Sequence, residues 1–215
     1  MKFYGHAESV SCGQFTHDGK LLITASEDTS VRVWDLKFNK LMHTIKSVKF
    51  HKAPISAMAL AKEKSIIATG SFENEIAISN YETAGVLLSL TVGKEGNSIE
   101  NIAFCNEDKF VVFAGTDNRI QILDLNTLNI RTNIELGEEG ISRIQPSMKN
   151  QYIVYLGSTN GYFYIFDVRG NGEFTQSDKV HKDIVMDFVI TSDEKFAITA
   201  SIDKTINLVK MIDIN

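Results

Sequence analysis

One pattern recurs along the whole chain. A short segment of alternating apolar residues ends at Asp35 in "TSVRVWD", at Asn80 in "FENEIAISN", at Asp124 in "TDNRIQILD", at Asp167 in "TNGYFYIFD" and at Lys210 in "IDKTINLVK". The spacing is about 43 to 45 residues each time. Self-similarity at a fixed period in this range marks repeat architectures, in which each unit is one small supersecondary element. Five units, at approximately 5–46, 51–92, 98–136, 137–176 and 181–215, account for nearly all of the 215 residues. We read 1–215 as a single repeat domain.

Every unit shares an internal order. A short apolar segment (Val10 to Phe15 in the first) meets a polar turn such as "THDGK" or "TSDEK". A second apolar run follows, as in "LLITAS", "SIIATGS", "FVVFAGT", "YIVYLGS" and "FAITAS". After a tight polar turn come the alternating segment and, in most units, a poorer fourth run such as "GVLLSLTV". The runs are short, rich in β-branched and aromatic residues and bounded by Asp, Asn, Gly and Lys, which reads as strands. No stretch sustains helical periodicity over the ten to twelve residues a helix needs. Four strands per unit make a small sheet that cannot bury both faces alone. Radial stacking of such sheets does bury them, so the expected fold is all-β, a β-propeller.

Units of this length with "GH" near the start and "WD" near the end resemble the WD-repeat (WD40) family. Gly5-His6 and Trp34-Asp35 carry the whole signature, and the later units depart from it. His51 and His181 keep the His without the Gly, and Ser98 and Gly140 stand near that place in the third and fourth units. Ser79, Leu123, Phe166 and Val209 occupy the Trp position. Asp28, Glu73, Asp117 and Asp203 are the expected turn acids, replaced by Asn160 in the fourth unit. Read in order, "SCGQFTHDGKLLITASEDTSVRVWDLK" through "HKDIVMDFVITSDEKFAITASIDK" resemble the C-terminal five repeats of the angio-associated migratory cell protein family. That family includes fungal chaperones dedicated to one large-subunit ribosomal protein. The resemblance implies a protein-interaction scaffold serving a basic ribosomal protein. The alternative is a WD-repeat subunit of a translation-initiation, trafficking or signalling complex.

The resemblance also implies a hydrogen-bonded chain of His6, Thr24 (or Ser26, on the same strand face), Asp28 and Trp34, repeated as His181, Thr199 and Asp203. An Asp at a tight turn can accept from backbone N–H groups and from an imidazole, and a buried indole N–H needs an acceptor. The same residue types could make a hydrolase, whose nucleophile needs a base, an oxyanion hole and a pocket. Recurrence decides between the two. Thr24 reappears as Thr199, 175 residues later, with its His and its Asp, and a catalytic group has no reason to recur in a second unit. No enzymatic role is expected.

Cys12 and Cys105 offer neither a disulfide framework nor zinc spacing. His6, His17, His43, His51 and His181 form no close pair, and no Gly-bearing loop has a phosphate-binding pattern, so neither metal nor cofactor is expected. A net charge of −5 gives no general attraction to nucleic acid. No apolar run approaches membrane-spanning length. We expect a cytoplasmic protein, with the nucleus as a second location. The acidic loop "ELGEEG" (Glu135, Glu138, Glu139) reads as a solvated turn or as a docking point for a basic partner. The basic stretch "KSVKFHK" reads as a solvated connector. Seven or eight units are usual in this family, which leaves two readings: a five-bladed ring, or the C-terminal part of a larger propeller.

Overall fold

The computed structural model describes residues 2–94, 96–170 and 172–212, and among them the secondary structure is strands and turns without helix. The first sheet contains β1 (Val10–Phe15), β2 (Leu21–Ser26), β3 (Val31–Asp35) and β4 (Lys40–Ile45). The second contains β5 (Ile55–Leu60), β6 (Ile66–Ser71), β7 (Glu75–Asn80) and β8 (Gly85–Thr91). The third contains β9 (Ile99–Cys105), β10 (Phe110–Gly115), β11 (Arg119–Asp124) and β12 (Asn129–Glu135). The fourth contains β13 (Ile141–Pro146), β14 (Ile153–Ser158), β15 (Tyr162–Asp167) and β16 (Phe174–Lys179). In the fifth, β17 (Val185–Ile190), β18 (Phe196–Ser201) and β19 (Ile206–Lys210) form a three-stranded sheet. Each sheet is an antiparallel meander in chain order, the architecture of propeller blades. The chain divides into two compact units, Met1–Phe104 and Cys105–Asn215.

Side-chain pattern explains which strand lies where. The second and third strands of the middle sheets are buried on both faces: β10 and β14 are buried at every position. That is why "FVVFAG" and "IVYLGS" read as continuous apolar runs rather than alternating ones. Of the fourth strands, β12 and β16 keep the period of two, with half-buried and exposed residues alternating. In the first unit Ile23, Val33, Phe50, Ile55, Ile67 and Ala77 belong to one buried cluster. In the second, Tyr155, Phe163, Ile165, Val185, Phe188 and Val209 do so. Burying such side chains is worth about 1.5–3 kcal/mol apiece.

The turn between second and third strands holds one left-handed residue at the same place in every sheet: Thr29 (φ 68°), Asn74 (55°), Asn118 (58°), Gly161 (80°) and Lys204 (70°). Gly161 is required at its position. A Cβ there would stand 2.2 Å from the His181 carbonyl oxygen, and that close approach lets the Gly161 carbonyl accept from the N–H groups of Val180 and His181. The shared φ fixes where the preceding residue sits. In the first, second, third and fifth sheets that residue is an acid (Asp28, Glu73, Asp117 and Asp203), and in the fourth it is Asn160.

Candidate functional site: a repeated histidine–threonine–acid clasp

Asp28 precedes Thr29 in the β2–β3 turn, and its carboxylate is filled from two sides. Oδ1 accepts from the N–H of Ser30 at 2.9 Å and from its hydroxyl at 2.5 Å, which closes the turn locally. Oδ2 accepts from the Ala7 N–H and the His6 imidazole, each at 2.9 Å. The Asp28 N–H itself donates to the Ser26 hydroxyl at 3.0 Å, and Ser26 donates to the Glu8 carbonyl. Thr24, one turn earlier on β2, stands 2.8 Å from His6 Nε2 and accepts from the Trp34 indole N–H at 2.8 Å.

The directions of these bonds follow from what each group can do. Trp34 can only donate, so the Thr24 oxygen accepts from it and the Thr24 hydroxyl proton is left for His6 Nε2. His6 then carries its proton on Nδ1, facing an acceptor-only carboxylate, and each ring nitrogen has one role. Trp34, Thr24, His6 and Asp28 form one directed chain from β3 through β2 to the entering loop. Burial alone would raise the Asp28 carboxyl, but the hydrogen bonds from Ser30, Ala7 and His6 outweigh it. They hold the carboxyl well below the usual carboxylate range.

The fifth sheet repeats the arrangement without the indole. His181 Nε2 lies 2.8 Å from the Thr199 hydroxyl, and Nδ1 lies 3.2 Å from Asp203 Oδ2 and 2.9 Å from the Thr205 hydroxyl. The Lys182 N–H donates to Asp203 as the Ala7 N–H does to Asp28. Hydrogen bonds from Thr205, with those from Lys182 and His181, hold the Asp203 carboxyl well below its ordinary range against the opposing effect of burial. Buried Val209 occupies the Trp34 place. Of the two hydroxyls expected to meet His6, Thr24 does so and Ser26 instead accepts from the Asp28 N–H; Ser30, Thr205 and Ser201, which the sequence pattern had not pointed to, complete the two turns with it. The recurring Ser-X-Asp-X-Ser/Thr spacing of "SEDTS" and "SIDKT" was the available signal.

Other repeats use the same places differently. In the second, His51 meets the Thr69 hydroxyl at 2.7 Å. The acid is not Glu73, as expected from spacing, but Glu75. Glu73 is exposed, whereas Glu75 is buried, accepts from the Lys52 N–H at 3.1 Å and stands 3.6 Å from His51 Nδ1. The longer glutamate side chain reaches the loop from two residues further on, where Ser30 stands in the first repeat. Burial lowers the His51 pKa to about 4, only partly opposed by its contact with Thr69. In the fourth repeat the acid has changed sides. Glu139, in the entering loop, accepts from the Asn160 amide at 3.1 Å and from the Tyr164 hydroxyl at 2.6 Å. Of the three loop acids read as a solvated turn or as a docking point, Glu139 is therefore spent within the blade and Glu135 pairs with Arg119 at 2.6 Å, while Glu138 is exposed.

Thr24, His6 and Asp28 match the order of a nucleophile, base and orienting acid, yet the chemistry differs. Thr24 is 9% exposed, and the indole N–H occupies one lone pair of its oxygen. A nucleophile needs an approach for substrate, which a side chain this buried does not offer. The arrangement stiffens the blade by satisfying every buried polar group it contains. Among the described residues no group of three His, Cys, Asp or Glu is placed to hold a metal ion. Cys12 is half-buried with its Sγ 3.3 Å from the Ser56 carbonyl, and burial pushes the Cys105 thiol up to about 12.

Comparison with known proteins agrees with this geometry. The WD domain, G-beta repeat, matches residues 1–35 and 172–209, the segments that carry the two complete clasps. The anaphase-promoting complex subunit 4 WD40 domain matches residues 58–149. The chain is 27% identical over 94% of its length to the human angio-associated migratory cell protein, covering 49% of that protein. It is 26% identical over 77% of its length to the COMPASS component SWD3 of Saccharomyces cerevisiae, covering 56%. It is 24% identical over 97% of its length to eukaryotic translation initiation factor 3 subunit I of Brugia malayi, covering 65%. The chain thus spans about half the length of the angio-associated migratory cell proteins it matches, and none of the matched families is a catalytic one. With its five antiparallel meanders and its clasp of His, Thr and Asp, this chain is a WD-repeat protein.

Proposed function

We propose that this chain is a non-enzymatic protein-interaction scaffold whose client is a basic ribosomal protein, held soluble before it enters the large subunit. The observation that carries the scaffold reading is the clasp itself. Its hydroxyl, imidazole and carboxylate are spent on one another, so the reactive groups serve rigidity and the surface loops are left for recognition. The basic client follows from the similarity to the angio-associated migratory cell protein together with the net charge of −5, which favours encounter with a positive partner. Its docking point is the loop at Glu135, Glu138 and Glu139, where Glu135 and Glu138 are exposed and Glu139 is engaged by Asn160 and Tyr164. We place this activity in the cytoplasm and the nucleus, where a ribosomal protein is made and assembled.

The test is affinity capture from native lysate at low salt, with Glu138→Lys beside the wild type. Recovery of one ribosomal protein, reduced by Glu138→Lys, is the expected result; recovery of none overturns the chaperone reading. Two relatives are named as a component and a subunit of larger assemblies, which favours a second reading as a stoichiometric subunit. Co-sedimentation separates the two. A one-to-one complex with a basic client supports the first reading, and a multi-subunit particle supports the second.

A further inference from the structure

The fourth strands of the sheets are end strands, with one edge unpaired. Such edges invite pairing with another chain, and proteins guard them with charge. Three of the four carry it: Lys40 on β4, Arg131 and Glu135 on β12, Asp178 and Lys179 on β16. β8 has none. Its sequence, "GVLLSLT", holds four large apolar residues in seven, and Leu87 is 52% exposed. Beside it runs the connector "KSVKFHK". A cleft of about 510 Å³ lies between them, lined by Val48, Lys49, Phe50 and Lys52 on one wall and by β8 on the other. Val48 is 90% exposed, while Phe50 is buried. The one acid of the cleft, Glu75, is engaged by the Lys52 N–H, so exposed Lys49 and Lys52 set the charge of the wall.

We propose that the β8 edge is a strand-addition site for an extended segment of a partner protein, with alternating apolar residues and acidic residues at one end. The unguarded edge supplies main-chain hydrogen bonds, Leu87 and Val48 supply apolar contact, and the two lysines select negative charge in a chain that is otherwise acidic. The site is distinct from the acidic loop assigned to the basic client. Failure here leaves capture of a ribosomal protein untouched, and the converse holds as well.

The probe is a fluorescein-labelled nine-residue peptide with two Glu followed by alternating Val and Thr, compared with a form carrying two Lys for the two Glu. Fluorescence anisotropy should show saturable binding of the acidic form in roughly the micromolar range. Lys49→Glu with Lys52→Glu should weaken it about tenfold, and Leu87→Lys by a similar factor. Hydrogen exchange on the wild type should show added protection at residues 85–91, a readout that needs no variant to fold. Equal binding of both peptides, no binding of either, affinity unchanged in both variants, or protection away from β8 would each overturn the proposal.

Discussion

Replacing Asp28 with Asn keeps the shape of the side chain and removes its capacity. Each carboxylate oxygen takes two donors: Oδ1 those of Ser30, and Oδ2 those of His6 and Ala7. Asparagine offers one oxygen and one NH₂, so whichever way it turns, one donor pair faces another donor. A buried donor left without its acceptor costs about 1–3 kcal/mol, and rotation of the Ser30 hydroxyl recovers part of this. The expected loss is about 3 kcal/mol, a large share of the roughly 5–15 kcal/mol that holds a domain folded. Trp34 is the only tryptophan in the chain and donates into the same clasp, so its fluorescence during urea unfolding reports on this blade directly. The Asp28 carboxyl is held below its ordinary value of about 4 in the folded state. Its contribution is present above that value and lost as pH falls below it. The gap between wild type and Asp28→Asn should therefore narrow below about pH 4. A loss under about 1 kcal/mol with unchanged m, or a gap independent of pH, would refute the clasp as an energetic unit.

His51 extends the argument in pH. Its folded pKa of about 4 lies below the ordinary histidine value, so the unfolded chain binds the extra proton first. Stability of the first unit should fall as pH drops from about 6.5 to about 4, and His51→Gln should flatten this part of the urea-unfolding profile. Gly161→Ala should destabilise the second unit by at least about 2 kcal/mol, since the added Cβ meets the His181 carbonyl at a left-handed turn. Thr29→Asn should stabilise the first unit by about 0.5–1 kcal/mol, because Asn tolerates the positive φ that a β-branched residue resists. Thermal unfolding of each variant checks both.

Several features were legible from residue order. The strand runs and their five-fold recurrence depend on local spacing, whereas the resemblance to WD repeats implied the pairing of His6 with Thr24 and Asp28; the 22-residue step from loop His to turn Asp recurs from His181 to Asp203. Glu75 was not legible. Spacing pointed to Glu73, and only the packed loop shows which carboxylate has the reach to meet the Lys52 N–H. Glu139 is a similar case. As sequence it is one of three solvated acids, but the fourth blade folds its loop over Asn160 and Tyr164 and takes that charge inward.

By itself, then, the sequence determined the strands, the period and the turn chemistry, because these follow from alternation, β-propensity and the residue types a tight turn accepts. Only the tertiary structure decided which acid closes each clasp, which loop charges remain outside, and that the uncharged β8 lies beside a lysine-lined cleft. Those outcomes depend on side chains some 20 to 45 residues apart meeting across loops, and no local pattern in the chain records such a meeting.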